Sequence, residues 1–168
     1  MIILGIDPAL NNTGIAVLQI KNNSPNLLHL TTIKQKNNQK ANSECEINHK
    51  LLFLHQELQN ILQKFQPNEV AIEETFVNIN PLSSLKLGQA RGAIILSVAI
   101  NNLPISQYTP TAVKKTITGN GKADKLQVQK MLNILLPKHD FLDNDQSDAL
   151  AVAFCHYQHH NMPKYAKF

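Results

Sequence analysis

The chain has 168 residues, 43% of them hydrophobic and 17% charged, which suits one domain with a core that needs neither disulfides nor a structural metal and excludes a disordered chain. Its formal net charge is +4 and its pI about 9.1, a pointer to nucleic acid, while no apolar run is long enough to span a bilayer. Cys45 and Cys155 sit in unrelated contexts, which excludes a disulfide framework or zinc spacing and suggests a reducing compartment; the start, without a basic segment or cleavage signal, reads as mature cytoplasmic protein.

Met1–Ile6 is a short apolar run that closes on Asp7-Pro8, a turn signal. Asn11-Asn12-Thr13-Gly14 has turn chemistry, because Asn and Gly tolerate positive φ. A second strand is expected over Ile15–Ile20, a turn over Asn22–Pro25 and a third strand near Leu27–Ile33. Three strands joined by short turns predict an antiparallel meander. Lys34–Ser43 is polar and expected as a loop. Ile47, Leu51, Leu54, Leu58, Ile61, Leu62 and Phe65 then recur at helical spacing until Pro67-Asn68.

Glu69–Glu74 is a short strand with Val70 and Ile72 buried, and Asn78–Pro81 a loop. Leu82–Asn101 is a long, mostly apolar helix. Its Gly88 and Gly92 make a small-residue face suited to close packing on the sheet or on another subunit. Ile105–Tyr108 is a fifth strand, and Thr109-Pro110 an N-cap followed by proline at the first helical position. Gly119-Asn120-Gly121 separates that short helix from another near Asp124–Leu136. The last helix is expected over Asn144–Gln158, so that one domain spans 1–158 and a polar tail 159–168. Strands four and five each follow a helix and should join the meander in parallel. The expected fold is α/β, a mixed five-stranded sheet flanked by helices.

Asp7 ends the first strand, where ligands bind in open α/β sheets. Glu73 and Glu74 end the fourth, and the period of two should turn one acid into the strand-end cleft and the other away. Asp145 and Asp148 share a face at the start of the last helix, where acids also serve as caps. If the three places converge, carboxylates that close cannot all ionise without a cation. All-oxygen ligands suit magnesium or manganese, and such a site suits in-line hydrolysis of a phosphodiester. Lys114, Lys115, Lys122, Lys125, Lys130 and Lys138, against the single acid Asp124, would neutralise phosphates beside the cut.

Five segments carry a resemblance. They are Ile3–Pro8; Ala71-Ile72-Glu73 with Phe76; Leu85–Gly92; Val113-Lys114 with Thr118-Gly119, Lys125 and Gln127–Gln129; and Asp145 with Asp148–Ala151. In this order and spacing, from about residue 1 to 157, the chain resembles the RuvC family of crossover junction endodeoxyribonucleases, the Holliday junction resolvases. The resemblance implies a ribonuclease-H-like fold and a homodimer that places paired, symmetric nicks across a four-way DNA junction. It also implies 5′-phosphate and 3′-hydroxyl ends, a role in recombination and repair, and partnership with a junction-binding protein and a branch-migration motor (RuvA and RuvB).

By position, Asp7, Glu73, Asp145 and Asp148 match the family's acids, expected to hold Mg2+ (Mn2+ also serving), two ions per subunit with DNA bound. Lys114 and Lys125 match basic residues near the scissile phosphate, so both are expected in catalysis as well as DNA binding. Phe76 matches an aromatic that contacts an unstacked base. Lys86, Arg91, Lys115 and Lys122 complete the expected DNA-binding set, with Arg91 open to either phosphate contact or packing. Two positions depart from the family's pattern: Ala9 stands where glycine is usual, and Glu74 where glutamine is common. Glu74 is expected to point away from the metals. His156, His159 and His160 read as surface residues.

Three other readings compete. A ribonuclease-H-fold nuclease acting on RNA or a transposon end would share the fold, but Leu85–Gly92 and the lysine segment favour the resolvase. A non-catalytic DNA-structure-binding module would not need all four acids. An actin- or sugar-kinase-type ATP site would need a second domain and a second phosphate loop.

Overall fold

The computed structural model describes residues 1–35, 43–74, 80–137 and 143–161. Phe76, Lys138 and residues 162–168 lie outside the described residues. The elements run β1 (Ile2–Asp7), β2 (Asn12–Lys21), β3 (Ser24–Lys34), α1 (Ser43–Phe65), β4 (Glu69–Glu73), α2 (Pro81–Ile100), β5 (Ile105–Tyr108), α3 (Pro110–Thr118), α4 (Lys125–Leu135) and α5 (Asn144–Asn161). No helix among the described residues is long and apolar enough to cross a membrane.

The strands form one sheet in the order β3-β2-β1-β4-β5. β1–β2 and β2–β3 pair antiparallel, and β1–β4 and β4–β5 parallel, which is the mixed sheet the element order predicts. The β2–β3 turn is two residues long, with Asn22 and Asn23 at φ of 50° and 57°. A primed turn of this kind matches the twist of its strands. β2 begins earlier than expected: Asn12 to Gly14, read from sequence as a turn, belong to the ladder, with Gly14 opposite Asp7. α5 continues past Gln158 to Asn161.

Side chains alternate between two cores, one on each face of the sheet. Ile3, Ala16, Leu18 and Ala71 join the core under α3, α4 and α5. Leu4, Ile6, Ile15, Val17, Val70 and Ile72 join the core under α1 and α2. The alternation places Asp7, Glu69 and Glu73 on the α5 side.

α5 lies across β1 and β2 with backbone nearly touching backbone. A Cβ on Gly5 would overlap the Ala149 carbonyl oxygen and Ala153, and one on Gly14 would overlap the Asp145 carbonyl. Both glycines are therefore required for close approach, which is a different reason from the turn expected at Gly14. Ala149 to Cys155 are almost wholly buried, so this helix is apolar nearly all round.

Its far end overturns one expectation. His156 is 4% exposed, not a surface residue. Its Nε2 lies 2.6 Å from Glu69 Oε2 and its Nδ1 2.9 Å from the Tyr108 hydroxyl. Burial lowers its pKa, against the pull of Glu69, so the neutral ring is favoured. Helix period and strand parity together bring His156 and Glu69 to one buried spot, and neither pattern alone shows it.

On the opposite face α2 buries Ala90, Ile94, Ser97 and Val98, while Leu82, Leu85, Leu96 and Ile100 remain at least 60% exposed. A Cβ on Gly88 or Gly92 would meet nothing within 4 Å, so among the described residues nothing packs against these two glycines. Gly14→Ala is expected to cost about 1–3 kcal/mol in equilibrium urea unfolding, because helix backbone must move to admit the methyl. Within one subunit Gly88→Ala changes only helix propensity and should be neutral or stabilising by up to about 1 kcal/mol in the same assay at a concentration where the chain is monomeric.

Candidate active site

Asp7 is the last residue of β1 and Glu73 the last of β4, on neighbouring parallel strands. α5 brings Asp148 over them within its second turn. Lys114 comes from α3, whose start is set by Pro110 and by the Thr109 hydroxyl accepting from Ala112 N. Lys125 opens α4, where a capping box between Asp124 and Gln127 sets the helix start. These side chains and Glu74 line one cleft of about 530 Å³.

Burial first, then the charges of Glu73, Asp148 and Asp145, push the Asp7 carboxyl up to about 8. Burial and Asp148 push Glu73 up to about 7, against the pull of Lys125, Lys114 and a hydrogen bond with Asp7. Asp145 is also raised, by burial and then by Asp143. Lys125 Nζ sits 2.9 Å from Asp148 Oδ2, and this hydrogen bond raises the lysine's pKa. The cleft therefore carries more carboxylate than its own cations neutralise, and protons remain on the acids near neutral pH.

Not every expected residue reaches this cleft. Asp145 and Lys86 line an adjoining cleft of about 310 Å³ with Ala9, Asn11 and Asn12, and Leu87 borders both. Lys115 and Lys122 are exposed and line neither. Arg91 turns to the sheet: Nη1 donates to the Glu73 carbonyl at 2.6 Å and Nη2 to Gln107 Oε1. Glu74, expected to point away, lines the main cleft, because β4 ends at Glu73 and strict alternation stops there. Glu74 is nevertheless not among the charges that raise Asp7 or Glu73. Ala9 is not among the residues with positive φ, so the Asp7 turn does not require glycine there. Its carbonyl accepts instead from the Thr13 hydroxyl.

The capping explanation for the α5 acids passes to a residue the sequence reading left out. Asp143 Oδ1 accepts from Gln146 N at 2.8 Å, and Asp143 also accepts from the Thr32 hydroxyl on β3. The signal was present as Asp143-Asn144-Asp145-Gln146, a D-x-x-Q capping pattern. With Asp143 as cap, Asp148 is left to face the cleft.

Among the described residues no three His, Cys, Asp or Glu side chains form a ready-made ion cage. That is compatible with a hard cation such as magnesium, which uses one or two carboxylates and completes its shell with water and substrate phosphate. Buried all-oxygen donors with raised pKa values fit such an ion, which would displace their protons.

Helices on both faces of a mixed sheet ordered 3-2-1-4-5 make a ribonuclease-H-like fold, and the class of protein is a nuclease acting on phosphodiester bonds. The family model for the crossover junction endodeoxyribonuclease RuvC matches residues 3–156. The chain belongs to the RuvC family, which is metal-dependent. A crossover junction endodeoxyribonuclease RuvC from Xanthobacter autotrophicus is 43% identical over 157 residues, covering 94% of this chain and 89% of that one. Its counterpart from Brucella ovis is 40% identical, covering 94% and 87%. Thermus thermophilus RuvC in complex with Holliday junction substrate superposes with a TM-score of 0.86 at 27% identity, covering 96% of each chain.

The raised acids make stability depend on pH in a definite direction. Asp7 binds its proton up to about 8 when folded, against 3.8 as a free side chain. Its contribution is fully present below the lower value and is lost as pH rises through the upper one. In chelator, the thermal midpoint of Asp7→Asn should therefore gain on wild type between pH 5 and pH 8. Added magnesium should narrow that gap at pH 8.

Proposed function

We propose that this chain resolves four-way DNA junctions as a homodimer, each subunit making one of two symmetric nicks that leave 5′-phosphate and 3′-hydroxyl ends. The observation that carries the reading is the cleft in which Asp7, Glu73 and Asp148 converge beside Lys114 and Lys125. The Holliday junction substrate bound by the Thermus protein supports the choice of DNA structure.

In this reading Asp7, Glu73 and Asp148 hold Mg2+, or Mn2+, in the main cleft, with Asp145 approaching from the adjoining one and two ions present when DNA is bound. A cation held there would supply the charge that lets neighbouring carboxylates ionise together and would lower the pKa of a water so that it can be deprotonated near neutral pH. Lys125 holds Asp148 in one orientation through its 2.9 Å contact. Lys114 reaches the phosphate from the α3 side, and both lysines offset charge on the phosphoryl oxygens. Lys86 extends the basic surface past Leu87, and Lys115 and Lys122 extend it over the outside of α3 and α4. Phe76 stacks on a base unstacked at the exchange point.

The exposed leucines and open glycines of α2 support dimerisation through that helix, since a two-fold enzyme matches a two-fold junction. One domain spans 1–158. A cytoplasmic protein of this kind would act beside a junction-binding protein and a branch-migration motor.

Labelled four-way junction, linear duplex and RNA–DNA hybrid, each with magnesium, manganese or chelator, test the substrate. Paired nicks confined to the junction and lost in chelator are expected; equal cutting of junction and duplex would sink the reading. Asp7→Asn should bring cleavage to background while junction affinity in gel shifts holds. Lys114→Ala should slow cleavage and flatten the slope of log affinity against log salt by about 0.9 if it meets one phosphate.

A further inference from the structure

Arg91 is the chain's only arginine, and its guanidinium meets the backbone of Glu73 without lining the acidic cleft. Asp7, Glu73 and Asp148 lie on the α5 side of the sheet. Arg91 belongs to α2, between the buried residues Ala90 and Ile94, which pack in the core of the other face. It does not line the main cleft and is not among the charges that shift Glu73 or Asp7. What it touches is the frame: Nη1 meets the Glu73 carbonyl at 2.6 Å, and Nη2 meets Gln107 Oε1 on β5.

This carbonyl lies where the strand needs outside support. β4 stops at Glu73, and among the described residues the last backbone bond tying its end to β5 is Glu74 N to Tyr108 O at 2.8 Å. Glu73 thus carries its carboxyl on the final residue of a short strand. A planar guanidinium bridges two acceptors with fixed geometry, whereas a lysine ammonium is a single flexible point charge.

We propose that Arg91 is a positioning residue for Glu73. Its guanidinium clamps the end of β4 to β5 and so fixes the direction of a carboxylate whose chemistry is on the opposite face. The inference rests on the reading of Glu73 as an active-site acid, and of the two roles left open for Arg91, phosphate contact or packing, it takes the second.

The test pairs Arg91→Lys with Gln107→Ala. A misplaced acid should slow single-turnover junction cleavage by Arg91→Lys about 10- to 100-fold, with junction affinity and its salt slope unchanged. In the free protein, amide exchange at Glu74 should quicken while Val70 and Ile72 keep their protection. Gln107→Ala removes one arm without touching α2 and should give the same changes in smaller measure. Wild-type cleavage with wild-type Glu74 exchange in Arg91→Lys would overturn the proposal. In Arg91→Gln, which removes the charge, lost affinity with a salt slope reduced by about 0.9 would also overturn it, as the mark of a phosphate contact. Should Arg91→Lys fail to fold, Gln107→Ala decides: unchanged rate and exchange overturn the clamp. Exchange is read without substrate, so a wild-type chain that ignores four-way junctions would count against the proposed function and leave the clamp to be judged on exchange.

Discussion

The passage of α5 over Gly5 and Gly14 is the contact on which the remaining architecture depends. Where strand and helix backbones nearly touch, side chains cannot be interposed, so the helix has one position and one depth. Gly14 is opposite Asp7 in the β1–β2 ladder. The helix start is thereby brought beside the strand end that carries the first acid. Asp143 fastens the same start to Thr32 on β3 while capping it. The acids of α5 are thus aimed by packing at two glycines and one capping bond.

That packing gathers like charges in a partly buried cleft, which opposes folding above the ordinary carboxylate range. Two lysines, one of them in contact with Asp148, offset the repulsion only in part, and Asp7 and Glu73 retain protons near neutrality. A site built this way is poised for hard cations and for the negative phosphate they accompany. The acids that destabilise the free protein are the groups proposed to hold the metals.

The sheet divides labour between its faces. The α5 side carries the candidate chemistry at the strand ends and also a hydrogen-bonded Tyr108–His156–Glu69 set whose His156 is buried. The α1–α2 side carries structure: a second core, an exposed apolar stripe on α2, and Arg91 reaching around the end of β4. Thus α2 is proposed to serve the site twice, by bracing a strand end and by joining a second subunit.

Much of this was legible in the residues. Apolar runs that end on Asp7 and on Glu73 mark strands with acids at their exits, and alternation sets which face those acids take. The helical spacing before Phe65 and the Thr109-Pro110 start rest on neighbouring residues alone, and each stands where expected, while the turn expected over Asn22–Pro25 narrows to Asn22-Asn23 because β3 begins at Ser24. Other features needed the tertiary structure because two distant segments had to meet. Gly14 looks like turn chemistry until α5 lies on it. His156 looks exposed until its helix runs back along the sheet to Glu69. Glu74 escapes the strand's alternation because β4 has already ended, and Arg91 could face DNA or sheet until α2 was placed. Element types and order, fold class and family could be read from the residues, because they follow from local pattern and motif. Which acids share a cleft, which lysine meets which carboxylate and where the lone arginine points came only with the fold, because packing between elements far apart in the chain sets them.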